Sequence, residues 1–421
     1  MSTKLAPAQQ ADESALPSGY ASEPLVSDPH RPADRPTWFL ALALLLVGLN
    51  LRGAITSVAV VLPQIRAEVH MDAPTAALLT SLPLLTFAIF SASVTTLAGR
   101  LGVDRALIVS GIALAVFTFT RPFTPLAGLL LITVAIGVAI TIGNVLVPVV
   151  VRRNFASRQG PMTSLTVGSI TGGAAIVTAL TVPIAVAVGW RWALAIWGIT
   201  ALGATAIYAA AARRSASEPA LMVGRADTVP PTSQGWVWRH PGAWALAVYF
   251  ALQSGSFYGA AAWLPTLIPA LTGLSEQSSA NAAALFQFMG IIGALTVPAL
   301  TTRFSRRLVS VLVSAAWVVL SLGMLLAPAG LLVWLVISGF AQGGTFALVM
   351  TMLTMRARNA AAVRDLSGMV QAIGYAGAAT VPVLMGWLLE GFGARASLGL
   401  LLATTLALVA AGAIIGSRKP I

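Results

Sequence analysis

Residues 37–64 read TWFLALALLLVGLNLRGAITSVAVVLPQ, an apolar run that contains one charged side chain, Arg52. An α-helix needs about 20 such residues to cross the hydrocarbon core of a bilayer, so this run is long enough to span a membrane. The rest of the chain has the same character, because 57% of its 421 residues are hydrophobic and only 9% are charged. A soluble domain carries about a quarter charged residues, which excludes that class. The sequence therefore predicts an all-α integral membrane protein.

Apolar runs of this kind recur along the chain, separated by arginine, glycine and proline. Their length and hydrophobicity predict twelve transmembrane helices, at residues 37–64, 75–98, 105–121, 125–151, 161–188, 191–212, 242–271, 280–302, 308–327, 331–355, 366–389 and 396–416. The long polar connection at residues 213–240 divides these helices into six and six. The expected organisation is a disordered cytoplasmic tail (1–36), a six-helix bundle (37–212), a cytoplasmic linker (213–240), a second six-helix bundle (241–416) and a cytoplasmic C-terminus (417–421).

Basic residues gather on one side of this predicted topology. With a cytoplasmic N-terminus, twenty of the 25 lysines and arginines fall inside, while Arg66, Arg121, Arg191 and Arg395 fall outside. Such an asymmetry sets the orientation of membrane proteins, so a multi-pass protein of the cytoplasmic (inner) membrane with both termini in the cytoplasm is expected. The net charge of +12 is then a topology signal, and no nucleic-acid partner is implied.

The two predicted halves resemble each other at an offset near 203 residues. Three features recur in register: Leu49-Asn50 as Leu252-Gln253, Leu62-Pro63 as Leu264-Pro265, and the basic loop Arg100…Arg105 as Arg303…Arg307. Weak internal symmetry of this kind is typical of transporters in which two bundles rock about a central site.

Arg52 is the one charge predicted near the middle of a membrane helix. A charge at that depth costs about 2.5–3.5 kcal/mol even on the lenient insertion scale, so it is a functional hypothesis by default. All thirteen acids fall in the tail, in loops or at helix ends, which leaves no predicted counterion. Because a guanidinium offers a planar fork of donors, the expected partner is an anionic or strongly dipolar solute. The alternative is an arginine satisfied by helix carbonyls or by Asn and Gln neighbours.

Uncharged polar and aromatic side chains form stripes on other predicted helices. Spacings of three and four residues place each stripe on one helix face. Together with Arg52, the predicted substrate-binding residues are Asn50, Asn144, Gln253, Tyr258, Gln342, Phe346, Gln371 and Tyr375. Any single amide is equally well explained by helix packing, since interhelical hydrogen bonds are worth roughly 0.6 kcal/mol each. The whole set favours a cavity for a small polar or planar solute.

The sequence offers little for catalysis or metal binding. The chain has no cysteine, and its three histidines, His30, His70 and His240, are too scattered to form a metal cluster. No nucleophile with a base is predicted at membrane depth, so neither an enzyme nor a cofactor is expected. A pump for cationic drugs usually needs a buried carboxylate, which is also missing from the prediction. If protons are coupled to transport, the substrate itself or an end-placed acid such as Glu68 must carry them.

Five motifs point to a known family. They are Asn50-Leu-Arg-Gly-Ala-Ile-Thr-Ser, Gly143-Asn-Val-Leu-Val-Pro148 followed by Arg152-Arg-Asn-Phe155, Gln253-Ser…Phe257-Tyr258 with Trp263-Leu-Pro265, Gly343-Gly344, and Leu366-Ser-Gly-Met…Gln371…Gly374-Tyr375. Over about residues 37 to 416 the chain resembles the cyanate and 2-nitroimidazole permease family of the major facilitator superfamily. The resemblance implies two pseudo-symmetric six-helix bundles, alternating access, and small anions or small planar nitro- and carboxy-compounds as substrates.

The superfamily's loop signature Gly-x-x-x-Asp-Arg is present only loosely, as Gly99-Arg-Leu-Gly-Val-Asp104-Arg105 with one extra residue. The resemblance assigns gating to Gly99, Asp104 and Arg105. The expected protein is a secondary transporter that works as a monomer on a small-molecule substrate, surrounded by membrane lipid. Two alternatives stay open: an efflux pump for small neutral or weakly acidic drugs, and a non-transporting membrane sensor.

Overall fold

The computed structural model describes residues 38–155, 158–215, 235–356 and 360–417. The predicted tail, most of the predicted linker and residues 418–421 lie outside these ranges. Within them the chain is helical apart from short connections, and no described residue lies in a β-strand. The predicted fold class, an all-α membrane protein, is confirmed.

Six long helices follow the first six predicted runs. They are α1 (Trp38–Val69), α2 (Ala73–Leu101), α3 (Val103–Thr120), α4 (Leu126–Asn154), α5 (Gln159–Val188) and α6 (Trp190–Ser215). One turn of 3-10 helix, Arg121–Phe123, follows α3. Most of these helices are longer than their apolar runs, and α6 continues past the predicted start of the linker at residue 213.

The remaining elements begin with a short helix, α7 (Gly235–Arg239), inside the predicted linker. The long helices that follow are α8 (Pro241–Thr272), α9 (Glu276–Arg303), α10 (Arg306–Leu326), α11 (Leu331–Arg356), α12 (Ala360–Ala378) and α13 (Thr380–Ser417). A second turn of 3-10 helix, Pro328–Gly330, precedes α11. Predicted helices 7 to 10 correspond to α8 to α11.

Local chemistry explains several helix ends. The Asp72 carboxylate caps α2 by accepting the backbone N–H of Thr75 at 3.0 Å, and hydrogen bonds from the side chain and backbone of Thr75 lower the pKa of that carboxyl. Ser275 and Ser305 cap α9 and α10 in the same way. Between α2 and α3, Gly102 has a φ of 81°, a left-handed conformation that favours glycine.

Ten described segments are long and apolar enough to cross a membrane. The 32-residue helix α8 is not among them, because its polar centre at Gln253, Ser254 and Ser256 lowers its mean hydropathy. Leu366–Gly416 counts as one 51-residue segment, although Gly393, with a φ of 82°, breaks the helix inside it. Counting α8 as a crossing, and the two sides of Gly393 as separate crossings, gives the predicted twelve.

The predicted run 366–389 is interrupted in the structure. Helix α12 ends at Ala378 and α13 begins at Thr380. Pro382 lies in the first turn of α13 and has no N–H to donate to the carbonyl of Ala378, so the hydrogen-bond ladder stops there. A proline within an apolar run can kink a helix or begin a new one, and here a helix boundary lies beside it.

The first six and the last six long helices pack in the same pairs. Helix α1 packs on α5 and α6, and α8 packs on α12 and α13; α2 pairs with α4, and α9 with α11. Between the two sets, α5 packs on α9, and α2 packs on α12 and α13. This repetition supports the prediction of two bundles over residues 37–212 and 241–416. By contacts, however, Trp38–Ile421 form one compact unit.

Glycines allow the closest helix approach, between α9 and α11. A Cβ atom added to Gly343 would lie 2.6 Å from the Cα atom of Gly290, and one added to Gly293 would lie 2.8 Å from the carbonyl carbon of Phe340. Such distances leave no room for a larger residue, which agrees with small residues at membrane helix interfaces.

Candidate functional site

Arg52 lies near the middle of α1, about 21 Å along the helix from Trp38 and about 26 Å from Val69. Its guanidinium carbon is 4.9 Å from the ring centroid of Phe257, 5.7 Å from that of Tyr258 and 5.8 Å from that of Phe346. Two of these rings belong to α8 and one to α11. A cation over aromatic faces gains about 0.5–2 kcal/mol, depending on how far it is desolvated. The charge on α1 is thus surrounded by rings from the second set of helices.

No carboxylate neutralises Arg52 within the described parts of the chain. The ion pairs found there are Arg66–Glu390, Arg153–Asp104 and Arg191–Glu68, and all involve residues at helix ends. The aromatic rings near Arg52 offer π faces to its charge but no pair of oxygen acceptors that would match the guanidinium fork. Donors of Arg52 are therefore left for a solute.

Two amides stand beside this guanidinium. The side-chain Nε2 of Gln253 donates to the backbone carbonyl of Gln342 at 3.3 Å, and Ser254 Oγ donates to Gln253 Oε1 at 2.9 Å. These bonds fix the Gln253 amide and join α8 to α11. Gln342 packs against Gly290, where a Cβ atom would come within 3.0 Å of the amide carbon.

The Arg52 pocket lies between α1, α5, α8, α9 and α11. It is lined by Arg52, Val167, Thr171, Gln253, Ser254, Phe257, Tyr258, Gly290, Ala294, Gln342, Gly343 and Phe346. The free space is about 20 Å³, which suits one or two waters or a very small solute. Beyond Phe346 it meets an apolar cavity of about 250 Å³.

Tyr375 extends the aromatic wall. Its ring centroid is 5.0 Å from that of Phe250 on α8 and 5.3 Å from that of Phe87 on α2, and Phe250 lies 6.2 Å from Phe346. Tyr375 is close enough to Arg52 and Tyr258 to interact with both electrostatically. The ring of Tyr375 on α12 therefore belongs to the surroundings of the pocket.

The structure brings together Arg52, Gln253, Tyr258, Gln342 and Phe346, with Tyr375 next to them. Three other predicted binding residues are not joined to this group by any described contact. Asn144 and Gln371 are half-buried on α4 and α12, and neither lines the Arg52 pocket. For these two residues, the sequence spacing predicts which helix face they lie on, but it does not predict what packs against that face.

Asn50 lies on the other side of α1. Its Nδ2 donates to the carbonyl of Leu46 at 2.9 Å, and its Oδ1 accepts from Thr200 Oγ1 at 2.8 Å. Residues two apart on a helix point in nearly opposite directions, so Asn50 and Arg52 face different neighbours. Asn50 lines a separate small cavity between α1, α3, α4 and α6, and it joins α1 to α6.

One residue of the family signature, Asp104, makes contacts near the start of α3. Asp104 Oδ1 accepts from Arg153 Nη2 at 2.8 Å and from the hydroxyl of Tyr208 at 2.7 Å, so it joins α3, α4 and α6. Arg105 and Gly99 are exposed, and no described contact assigns them a partner. The structure leaves their predicted gating role as a prediction.

The sequence prediction missed a buried arginine. Arg121, expected in an outside loop, has 1% of its surface exposed, and its Nη2 donates to the carbonyl of Ala54 on α1 at 3.0 Å. The Nε of Arg121 has no partner in the described chain. The signal was the length of α3, whose 18 residues span about 27 Å, less than the hydrocarbon core of about 30 Å. A residue directly after so short a helix is expected at membrane depth, where a charged side chain needs partners within the protein.

Two sets of helices that meet at a charged, aromatic pocket are typical of solute transporters. The chain belongs to the Major Facilitator Superfamily, whose family model matches residues 40–363. It is therefore a multi-pass membrane transporter with a small-molecule substrate.

Named relatives cover most of the chain. It is 32% identical over 367 residues to the uncharacterized transporter YycB of Bacillus subtilis, covering 86% of this chain and 89% of that protein. It is 30% identical over 356 residues to a 2-nitroimidazole transporter of Escherichia coli, covering 82% and 87%. The cyanate transport protein CynX of Escherichia coli is 29% identical over 351 residues, covering 82% and 89%. The resemblance read from the motifs is thus confirmed.

Solved structures share the fold at low sequence identity. A bacterial homologue of the human lysosomal transporter Spinster, in an inward-facing and occupied conformation, superposes with a TM-score of 0.74 at 16% identity, covering 92% of this chain and 98% of that one. The nucleoside transporter NupG gives a TM-score of 0.70 at 12% identity, covering 91% and 99%. At such identities the likeness shows the fold alone.

Proposed function

We propose that this chain is a secondary transporter that moves a small anionic or strongly dipolar planar solute by alternating access, with Arg52 as the main substrate-binding charge. The observation that carries the proposal is the setting of Arg52, which faces three rings of the second helix set with no described carboxylate beside it. Gln253 and Gln342 add amide groups next to it. A flat solute with negative oxygen atoms would satisfy the free guanidinium donors and lie against the rings.

Two relatives support this substrate class. Their names specify cyanate and 2-nitroimidazole as solutes. Cyanate is a small anion, and a nitro group carries partial negative charge on two oxygen atoms in one plane. Both can accept hydrogen bonds from a guanidinium fork, so one site of this design would suit either kind of solute.

The proposed working unit is one copy of the chain in the cytoplasmic (inner) membrane. Bundles over residues 37–212 and 241–416 would rock about the Arg52 pocket, joined by the cytoplasmic linker 213–240. The placement of twenty of 25 cations on one side supports cytoplasmic termini. Transport is favoured over catalysis or sensing, because the family and all three named relatives are transporters.

A coupled proton would have to travel with the solute or on an end-placed acid. None of the residues that line the Arg52 pocket in the described chain is acidic. Glu68 lies about 24 Å along α1 from Arg52 and accepts hydrogen bonds from Trp190 and Arg191. Because Glu68 already has two partners far from the pocket, a solute that carries its own proton fits this geometry better.

Efflux of small neutral or weakly acidic drugs is the second candidate function. The observation that favours it is the apolar cavity of about 250 Å³ beside the Arg52 pocket. Expression of the chain distinguishes the two directions of transport: a pump gives resistance to a toxic solute, whereas an uptake system gives sensitivity.

The proposal is tested by thermal stability of the purified protein with cyanate, 2-nitroimidazole or a simple carboxylate. A ligand that binds the folded state raises its apparent melting temperature. We expect at least one of these solutes to stabilise the wild type and to have no effect on Arg52→Gln. Arg303→Gln, at the exposed end of α9, is the matched control and should respond as the wild type does. An equal response of Arg52→Gln and wild type would overturn the site.

A further inference from the structure

The space beside Arg52 is divided into a small polar part and a large apolar part. The Arg52 pocket itself has room for about 20 Å³, while the adjoining cavity between α5, α9 and α11 has about 250 Å³. A cavity of about 150 Å³ is large enough to hold benzene. The adjoining space therefore exceeds what a three-atom anion needs.

The two spaces adjoin each other. They share four lining residues, Val167, Thr171, Ala294 and Phe346. Phe346 stands at the boundary, with its ring centroid 5.8 Å from the Arg52 guanidinium carbon. A single molecule that passes this ring would touch the guanidinium at one end and occupy the larger space at the other.

The lining of the larger space is apolar and uncharged. Ile291, Leu295, Ala347 and Met350 contribute hydrocarbon to it, and no described lining residue is charged. Its Thr171 hydroxyl donates to the carbonyl of Val167 at 3.2 Å, within its own helix. Such a wall favours the burial of apolar groups.

Gly168 helps to make this room. A Cβ atom at Gly168 would meet nothing within 4 Å, unlike one at Gly290, Gly293 or Gly343. Gly168 also has no positive φ that would require glycine. Neither tight helix packing nor backbone conformation therefore requires this glycine. Because Gly168 lines the larger space, its missing side chain leaves that space open.

We propose that this cavity receives the apolar body of a substrate whose anionic or dipolar head lies on Arg52. The inference rests on the proposed function and narrows its substrate class to planar monocarboxylates or nitro compounds that carry an aromatic or short aliphatic group. A smaller anion such as cyanate would fill only the polar part. The competing occupant is a lipid acyl chain, which would enter past the exposed Leu295 without needing Arg52.

The test uses three probes with full-length protein in detergent: acetate, benzoate and 4-propylbenzoate. Dissociation constants are measured for the wild type, Gly168→Leu and Arg52→Gln. Gly203→Leu on α6 is the matched control, since Gly203 also has nothing within 4 Å of an added Cβ atom and lines neither space. Ala347→Leu provides a second filled cavity. Retained acetate binding shows that each cavity variant is folded, and an unchanged melting temperature shows it for Arg52→Gln.

We expect affinity in the wild type to rise at least tenfold from acetate to benzoate and further to 4-propylbenzoate, because each buried methylene contributes about fourfold. Gly168→Leu should weaken the two aromatic probes at least tenfold and leave acetate within twofold, while Gly203→Leu changes neither. Equal affinities for all probes, or equal losses in Gly168→Leu and Gly203→Leu, would overturn the inference and leave the proposed function standing. Binding that survives Arg52→Gln would overturn the proposed function itself, and with it this inference.

Discussion

Arg52 and Arg121 both lie among the first six long helices, and their surroundings separate their roles. Arg52 faces an open pocket with three rings, whereas Arg121 is enclosed and donates to the backbone of Ala54. A charge within the membrane is a reason to suspect function, but only a charge with free space beside it can bind a solute. The space, which the sequence does not show, distinguishes Arg52 from Arg121.

The nearest ring to Arg52 should affect how well the guanidinium is oriented. Phe257→Leu keeps an apolar side chain but removes the face that lies 4.9 Å from the guanidinium carbon. We expect solute affinity to fall about two- to fivefold, in line with a cation–π interaction of about 0.5–1 kcal/mol. Isothermal titration with the solute found in the thermal screen measures this change.

Phe39→Leu is the control, because Phe39 lies 4.8 Å from Arg214 near the start of α1 and far from the pocket. The solute affinity of Phe39→Leu should stay at the wild-type value. If Phe257→Leu binds as tightly as Phe39→Leu, the rings do not orient Arg52.

Among the helices, α8 and α13 are joined by a buried indole. Trp263 is fully buried, and its Nε1 donates to the carbonyl of Pro382 at 2.8 Å. Trp317 on α10 is equally buried, but its Nε1 has no partner among the described residues. Of these two equally buried indoles, Trp263 has a hydrogen-bond partner and Trp317 has none among the described residues.

This difference predicts unequal effects of the same substitution. Trp263→Phe should lower the stability of the protein by about 0.5–1.5 kcal/mol more than Trp317→Phe, because it loses one buried interhelical hydrogen bond. Melting temperatures of the two variants in one detergent give the comparison. A larger loss in Trp317→Phe would contradict the account of this contact.

Most of the helical framework can be predicted from the sequence, because long apolar runs leave the backbone few alternatives in lipid. The interruption after Ala378 could not, since a proline such as Pro382 either kinks a helix or starts a new one, and tertiary packing decides which. The candidate site, too, could be predicted only in part. Arg52 and the residues of α8 and α11 were found because spacing defines a helix face, whereas Asn50 was grouped with them although it points away.

Across the whole protein, polar contacts join the two helix sets at the end that the charge pattern assigns to the outside. Glu390 on α13 pairs with Arg66 on α1 at 3.5 Å and accepts the backbone N–H of Ala73 on α2. Gln64 donates to Glu276 at 3.2 Å nearby. If the sets rock apart during transport, these contacts must break when the outer end opens.

Removing Glu390 should therefore favour the outward-open state. Glu390→Ala deletes an exposed ion pair and a hydrogen bond, together worth about 1 kcal/mol, which changes a two-state ratio about fivefold. Because the chain has no cysteine, spin labels at Ala67→Cys and Leu274→Cys report one distance across this end. We expect the longer distances to gain population in Glu390→Ala.

Glu68→Ala is the control for this measurement, because the partners of Glu68, Trp190 and Arg191, lie in the same helix set. The distance distribution of Glu68→Ala should match that of the spin-labelled protein that keeps both glutamates. A shift in Glu68→Ala as large as that in Glu390→Ala would contradict a specific role for the cross-set contacts.

The most direct test of the central claim is solute flux through Arg52→Gln in proteoliposomes. Wild type and variant are reconstituted at equal density, and uptake of the solute that stabilised the wild type is followed over time. The account predicts that Arg52→Gln keeps the wild-type melting temperature and loses transport by about a hundredfold or more, since the charge that holds the solute is gone. Transport by Arg52→Gln at the wild-type rate would contradict it.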